Sequence, residues 1–251
     1  MNVLIDAQGV CKSFRHGDSS AEVLRSVDVR VTAGEMVSIV GPSGSGKSTL
    51  LHCLAGLEVP NAGEIHLMGV NITRASRGER AKVRARHVGF VFQQYNLISS
   101  LSVGENVSLP ARLAGRRLSR GSVRELLERV GVGGKENARP DELSGGEAQR
   151  VAIARAVASG PDIVFAGEPT GALDTANGNA VLDMLRVMAD DANRAVVMVT
   201  HDLEAAARAD RVLVMRDGEI ACRMSHPAAR EILAAMETVR PHDAVEGATS
   251  R

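Results

Sequence analysis

The sequence predicts an α/β fold: a parallel sheet with an antiparallel β subdomain before it and a helical subdomain within it. Three observations carry this. Strand-like apolar runs alternate with segments of helical periodicity through most of the 251 residues. One such run, MVSIV at 36–40, leads through the glycine-rich octet GPSGSGKS at 41–48 into a helical stretch, TLLHCLAG. A long helical region, 99–160, then interrupts the alternation before it resumes.

Taken in order, strands at 3–9 and 23–31 read as antiparallel and separate from the parallel core. Strands at 36–40 and 64–68 follow, with the helix after the glycine-rich octet between them. The basic run RGERAKVRARH (77–87) lacks interleaved aromatics and reads as a solvated helix face. VGFVFQQYN (88–96) is a strand ending at Gln93. In the helical region, Val123, Leu126, Leu127 and Val130 keep the spacing of a buried helix face, and LSGGEAQR (143–150) opens a helix through Ser159. Strands at 162–166, 195–200 and 211–215 complete the core, with a helix at 176–189 marked by Val181, Met184, Leu185 and Met188. Asp217-Gly218 is the two-residue turn of a hairpin. A domain at 3–222, with its helical part at about 97–160, is thus followed at 223–251 by one amphipathic helix and a small-residue, polar tail expected to be disordered.

Thirty basic and thirty acidic residues cancel, so no overall field favours nucleic acid or an acidic substrate. No apolar run approaches the length of a membrane span, and MNVLIDAQGV lacks a basic start and a signal-type apolar core. The expectation is a chain that stays in the cytosol. Cys11, Cys53 and Cys222 are too few and too scattered for a disulfide framework or a zinc site, and no structural metal is expected.

The octet at 41–48 carries the clearest chemistry. Gly41, Gly44 and Gly46 let the backbone turn tightly, so that N–H groups and a helix start point at phosphate oxygens. Lys47 is placed to reach the β- and γ-phosphates, and the Ser48 hydroxyl to ligate Mg²⁺, the pattern of a P-loop. In LSGGEAQR, Ser144 and Glu147 form the S-x-x-E pattern of a capping box. Ser144, Gly145 and Gly146 also offer a hydroxyl and bare N–H groups at the positive end of a helix, which suits a γ-phosphate. Both readings can hold, because the cap forms the helix that the phosphate would meet.

These segments, in company with PDIVFAGEPTGALD (161–174) and VVMVTHD (196–202), resemble the ABC ATPase family over roughly residues 3–222. FQQYNLISSLSVGENVSLP and RPDELSGGEAQRVAIARAV resemble most its lipoprotein-release and macrolide-export branch. The resemblance implies a P-loop NTPase core that binds ATP and Mg²⁺ through the loop residues, Ser43 and Thr49 included. It makes Glu168 the general base, His201 the γ-phosphate switch, and Gln93 a contact to Mg²⁺ or the attacking water. Asp174 matches the aspartate at the dimer seam, although Asp before a helix is also an ordinary N-cap. Phe14 matches the aromatic that stacks on adenine, or else is a core residue at a strand end. The same resemblance implies a head-to-tail dimer with a second copy or a paralogous cassette, an integral membrane permease as partner, and a place on the inner face of the cell membrane. A soluble ABC protein of DNA repair or translation would need a long coiled-coil insertion, zinc cysteines or a second cassette, which this sequence lacks.

One position departs from the family: Gly167 stands where an aspartate is expected to hold Mg²⁺. Asp162 is a poor substitute, since five strand residues place it roughly 16 Å away. Losing one outer-shell partner of a metal costs about 10 to 100-fold in affinity or activity. Two expectations follow: a transporter ATPase that is slow but competent, or a nucleotide-binding switch that barely hydrolyses.

Overall fold

The computed structural model describes residues 2–16 and 19–238. Two sheets make up the fold. In the first, β1 (Val3–His16) and β2 (Ser19–Thr32) pair antiparallel and are joined by β4 (Ala62–Leu67) and β5 (Val70–Asn71) in the order β2-β1-β4-β5. Both long strands outrun their expected limits of 3–9 and 23–31. Gly9, where the first expected strand ends, sits at φ 58° in a bulge, and its N–H donates to Asp28 Oδ1 at 2.7 Å. The strands therefore bend and continue.

The second sheet has the order β10-β9-β3-β8-β7-β6. Here β3 (Glu35–Val40), β6 (Val88–Phe92), β7 (Ile163–Gly167), β8 (Ala195–Val199) and β9 (Arg211–Arg216) run parallel, while β10 (Glu219–Ser225) returns antiparallel beside β9. β8 is buried throughout and β3 nearly so, which is why they read as continuous apolar runs. The β9–β10 turn has Asp217 at φ 47° and Gly218 at φ 84°, the left-handed pair that a two-residue hairpin requires. β10 extends the sheet past residue 222.

Helix α1 (Lys47–Leu54) lies between the two sheets, where Leu50 and Leu54 pack with Ile39, Phe165 and Val197. α2 (Arg77–His87) buries no residue, as its basic run predicts, and is fixed by Arg80 and Arg84 donating to the carbonyls of Ala75 and Gly56. The helical region resolves into α3 (Val103–Leu113), α4 (Arg120–Arg129) and α5 (Gly145–Val157), with a 3₁₀ turn at Pro140–Glu142. Val123, Leu127 and Val130 of the expected face are buried; Leu126 is partly so. α5 stops at Val157, two residues short of Ser159. It packs on the sheet's other face, where Val151 and Ile153 join Val91, Val164 and Val196 in one core with α6 (Thr175–Ala189). α7 (Leu203–Ala206) and α8 (Ala229–Thr238) close the edge, Ile232 packing with Val40, Ala206, Val212 and Val214. The expected tail lies beyond α8, outside the described residues.

Candidate nucleotide site

Sheet register assembles the site. Phe92 pairs with Gly167, Gly167 with Val199, Val199 with Ile39, and Ile39 with Leu213. One step past this row, at the carboxyl ends of parallel strands, the chain emits Gln93, Glu168 and, beyond Val40, Gly41; His201 follows Thr200. Residues separated by more than 150 positions thus converge at the edge where open α/β sheets bind ligands.

The 41–48 loop is a cradle that tolerates no side chain at two points. A Cβ on Gly41 would fall 2.2 Å from the Met215 carbonyl oxygen, and one on Gly46, at φ 96°, 2.6 Å from that of Val23. Ser43, Gly44 and Ser48 are exposed, Thr49 is half-buried, and Lys47 Nζ donates to the carbonyls of Gly41 and Pro42 at 2.8 and 2.7 Å. Burial lowers the Lys47 ammonium below the ordinary lysine value, and the Glu168 carboxylate opposes that shift. Lysine and carboxylate therefore share one field. The Ser45 hydroxyl is buried without a partner, leaving a polar atom in the loop unsatisfied. A triphosphate fits this loop, which presents one cation and the start of α1.

Glu168 adopts φ 49°, and its N–H donates to the Val199 carbonyl at 2.8 Å, so the backbone turns its carboxylate out of the strand. Its Oε2 lies 3.2 Å from Nδ1 of the exposed His201. Gln93 lies against the loop after Glu168: a Cβ on Gly171 would fall 2.9 Å from its Nε2. At Gly167 an added Cβ would meet nothing within 4 Å. Open space thus stands where the family's aspartate is expected. Asp162 is engaged at the other end of β7, its Oδ2 2.6 Å from His87 Nδ1.

The structure places Ser144, Gly145 and Gly146 elsewhere, at the start of α5, with Ser144 as N-cap of a complete capping box. Ser144 bonds to Glu147 and accepts from the Ala148 N–H, and the space beside Gly145 and Gly146 is bounded by Tyr95, Ala172 and Asn177, none of them in the 41–48 loop. A Cβ on Gly145 would fall 2.8 Å from Tyr95 Oη, and one on Gly146 2.6 Å from Asn177 Oδ1. Both glycines admit a neighbour. Asp174 is the N-cap of α6; it accepts from the Asn177 N–H and Nδ2, while Arg150 of α5 donates to Asn177 Oδ1 at 2.7 Å. Phe14, opposite Ala21 on β1, is 41% exposed, with Lys12 Nζ 4.8 Å from its ring centre. It is a surface ring rather than a core residue.

Several connecting residues escaped the sequence reading. The buried Gln149 donates to the Pro169 carbonyl at 2.6 Å, tying α5 to the loop after Glu168. Arg155, pushed below the ordinary arginine value by burial, holds the carbonyls of Tyr95 and Asn96, both at left-handed φ. Gln149 lies inside LSGGEAQR, 143–150, but nothing in the sequence gives its buried partner. Among the described residues no His, Cys, Asp and Glu group gathers into a metal cluster, and no helix is long and apolar enough to cross a membrane.

The sequence pattern of the ABC transporter family matches residues 24–171. The lipoprotein-releasing system ATP-binding protein LolD of Shewanella sp. (strain MR-4) is 44% identical over 227 residues, covering 90% of this chain and 98% of LolD. The macrolide export ATP-binding/permease protein MacB of Escherichia coli is 46% identical over 222 residues, covering 88% of this chain but 34% of MacB. Among solved structures, the ATP-binding cassette MJ0796, a dimer bound to ADP and Pi after hydrolysis, superposes with TM-score 0.83 at 36% identity, covering 89% of this chain and 99% of MJ0796. Sequence and fold agree: the chain belongs to the ABC transporter family, as an ATP-binding cassette of its ATP-hydrolysing, transport-coupled kind.

Proposed function

We propose that this chain is the motor subunit of a lipoprotein-release or export type ABC transporter, working at the inner face of the membrane. Two cassettes would close head to tail on ATP and drive a permease. The observation that carries this is the division of phosphate-binding parts. Lys47, Glu168, Gln93 and His201 gather at one sheet edge, whereas the exposed start of α5 makes no described contact with the 41–48 loop. A second copy supplies the missing half. The dimeric MJ0796 cassette and the likeness to LolD and MacB support the same arrangement.

In this reading the loop N–H groups and Lys47 hold the phosphates, and the Phe14 ring takes the adenine. Oxygen donors suit a hard cation, so Ser48 and Gln93 would hold Mg²⁺, which neutralises phosphate charge when bound. Glu168 accepts the proton of the attacking water, and His201 both orients that carboxylate and reaches the γ-phosphate. Asp174, held by Asn177, lies at the seam. Gly167 favours a second reading, a switch that closes on ATP and barely turns it over, because that position offers no oxygen side chain.

Sedimentation with ATP and Mg²⁺ tests the first reading. The parent chain should dimerise with ATP, and Ser144→Arg should stay monomeric while binding nucleotide normally. A normal dimer in the variant returns the Ser144 segment to a helix cap alone. Steady-state turnover separates motor from switch.

A further inference from the structure

At the start of α5 the sequence places a carboxylate where an anion is to dock. Glu147 is the third residue of the helix, and its Oε2 accepts from the Ser144 N–H at 2.9 Å and from the Ser144 hydroxyl at 3.1 Å. The Ser144 hydroxyl has one proton, so this second bond occupies the only donor it could offer a phosphate. The other oxygen of Glu147 faces Lys135, whose Nζ lies 2.5 Å from Oε1. Lys135 comes from the loop between α4 and the 3₁₀ turn, a segment that the site described above does not use.

Resting on the reading that this helix start meets a γ-phosphate across a dimer, we propose that Lys135 is a positioning residue for that contact. It neutralises Glu147 toward the incoming phosphate and weakens Glu147's hold on the Ser144 hydroxyl proton, which can then turn to the phosphate. Two physical effects combine. A carboxylate beside a docking anion repels it unless a cation compensates. An acceptor already bonded to an ammonium also competes less strongly for a hydroxyl donor. The glutamate thereby keeps its helix-capping role without blocking the approach.

The test uses the full chain carrying Glu168→Gln, so that ATP is not consumed, and reads the ATP concentration for half-maximal dimer by sedimentation velocity at low and high salt. Lys135→Ala should raise that concentration about fivefold at low salt and less at high salt, since the pair is partly exposed. Adding Glu147→Gln should restore it, because Gln keeps the capping pattern and removes the charge. Nucleotide binding to the monomer should not change. If Lys135→Ala dimerises like its parent, or if Glu147→Gln fails to restore it, Lys135 acts only as a local brace and the proposal is wrong. Ser144→Arg in the same series separates the two levels: should it dimerise normally, the docking reading falls first and this inference with it.

Discussion

His201 Nδ1 lies 3.2 Å from Glu168 Oε2, joining the segments that follow two neighbouring parallel strands, β7 and β8. Glu168 has a left-handed backbone, His201 is exposed, and the Glu168 carboxylate is close enough to Lys47 to act on its ammonium.

Glu168→Gln should keep nucleotide binding and lose about 10² to 10⁴-fold in turnover, the size of a general-base contribution. The ATP-bound dimer should accumulate in consequence. Parallel measurements of phosphate release and of sedimentation check this; unchanged turnover would move the base elsewhere.

Gly167→Asp should raise turnover about tenfold or more and sharpen its dependence on Mg²⁺. The position is open: beyond its chain neighbours, no atom lies within 4 Å of an added Cβ, so the first atom of the new side chain meets no obstacle. Titrating Mg²⁺ in both chains gives the answer. Identical curves would mean that another group already positions the ion.

Lys47→Ala should weaken ATP binding about 10 to 100-fold, since a charge-assisted bond to the phosphates is lost. In the chain the ammonium is held by the Gly41 and Pro42 carbonyls, so the variant also loses two loop hydrogen bonds and its fold stability should fall modestly. Calorimetry with ATP, beside a thermal melt, measures both.

The Glu147 carboxyl is lowered from 4.5 to about 2, by the Lys135 hydrogen bond first and the Ser144 N–H next. A carboxyl with a lowered folded value stabilises fully above its unfolded value, and that contribution is lost as pH falls through the folded one. Glu147→Gln should therefore cost no more than about 1 kcal/mol at neutral pH, the pair being partly exposed, and the deficit should vanish between pH 4.5 and about 2. Thermal midpoints across that range should converge; parallel curves would assign the ionised form no role.

By itself the sequence determined what chain-local physics can express. Alternation and helical spacing gave the α/β order; 41–48 gave the phosphate loop; Ser144 with Glu147 gave a capping box that the structure contains. Gly167 stood out because its motif neighbours were intact. The first strand runs past Gly9 to His16 because a bulge takes up the glycine, whose N–H donates to Asp28, a partner far away in the sequence. Only the tertiary structure brought Gln93, Glu168 and His201 to one edge, because sheet register is set between strands far apart in sequence. It alone gave Tyr95 and Asn177 as the neighbours of Gly145 and Gly146, Lys135 as the partner of Glu147, and open space beside Gly167. Those facts concern distances between segments, and no local pattern of residues encodes them.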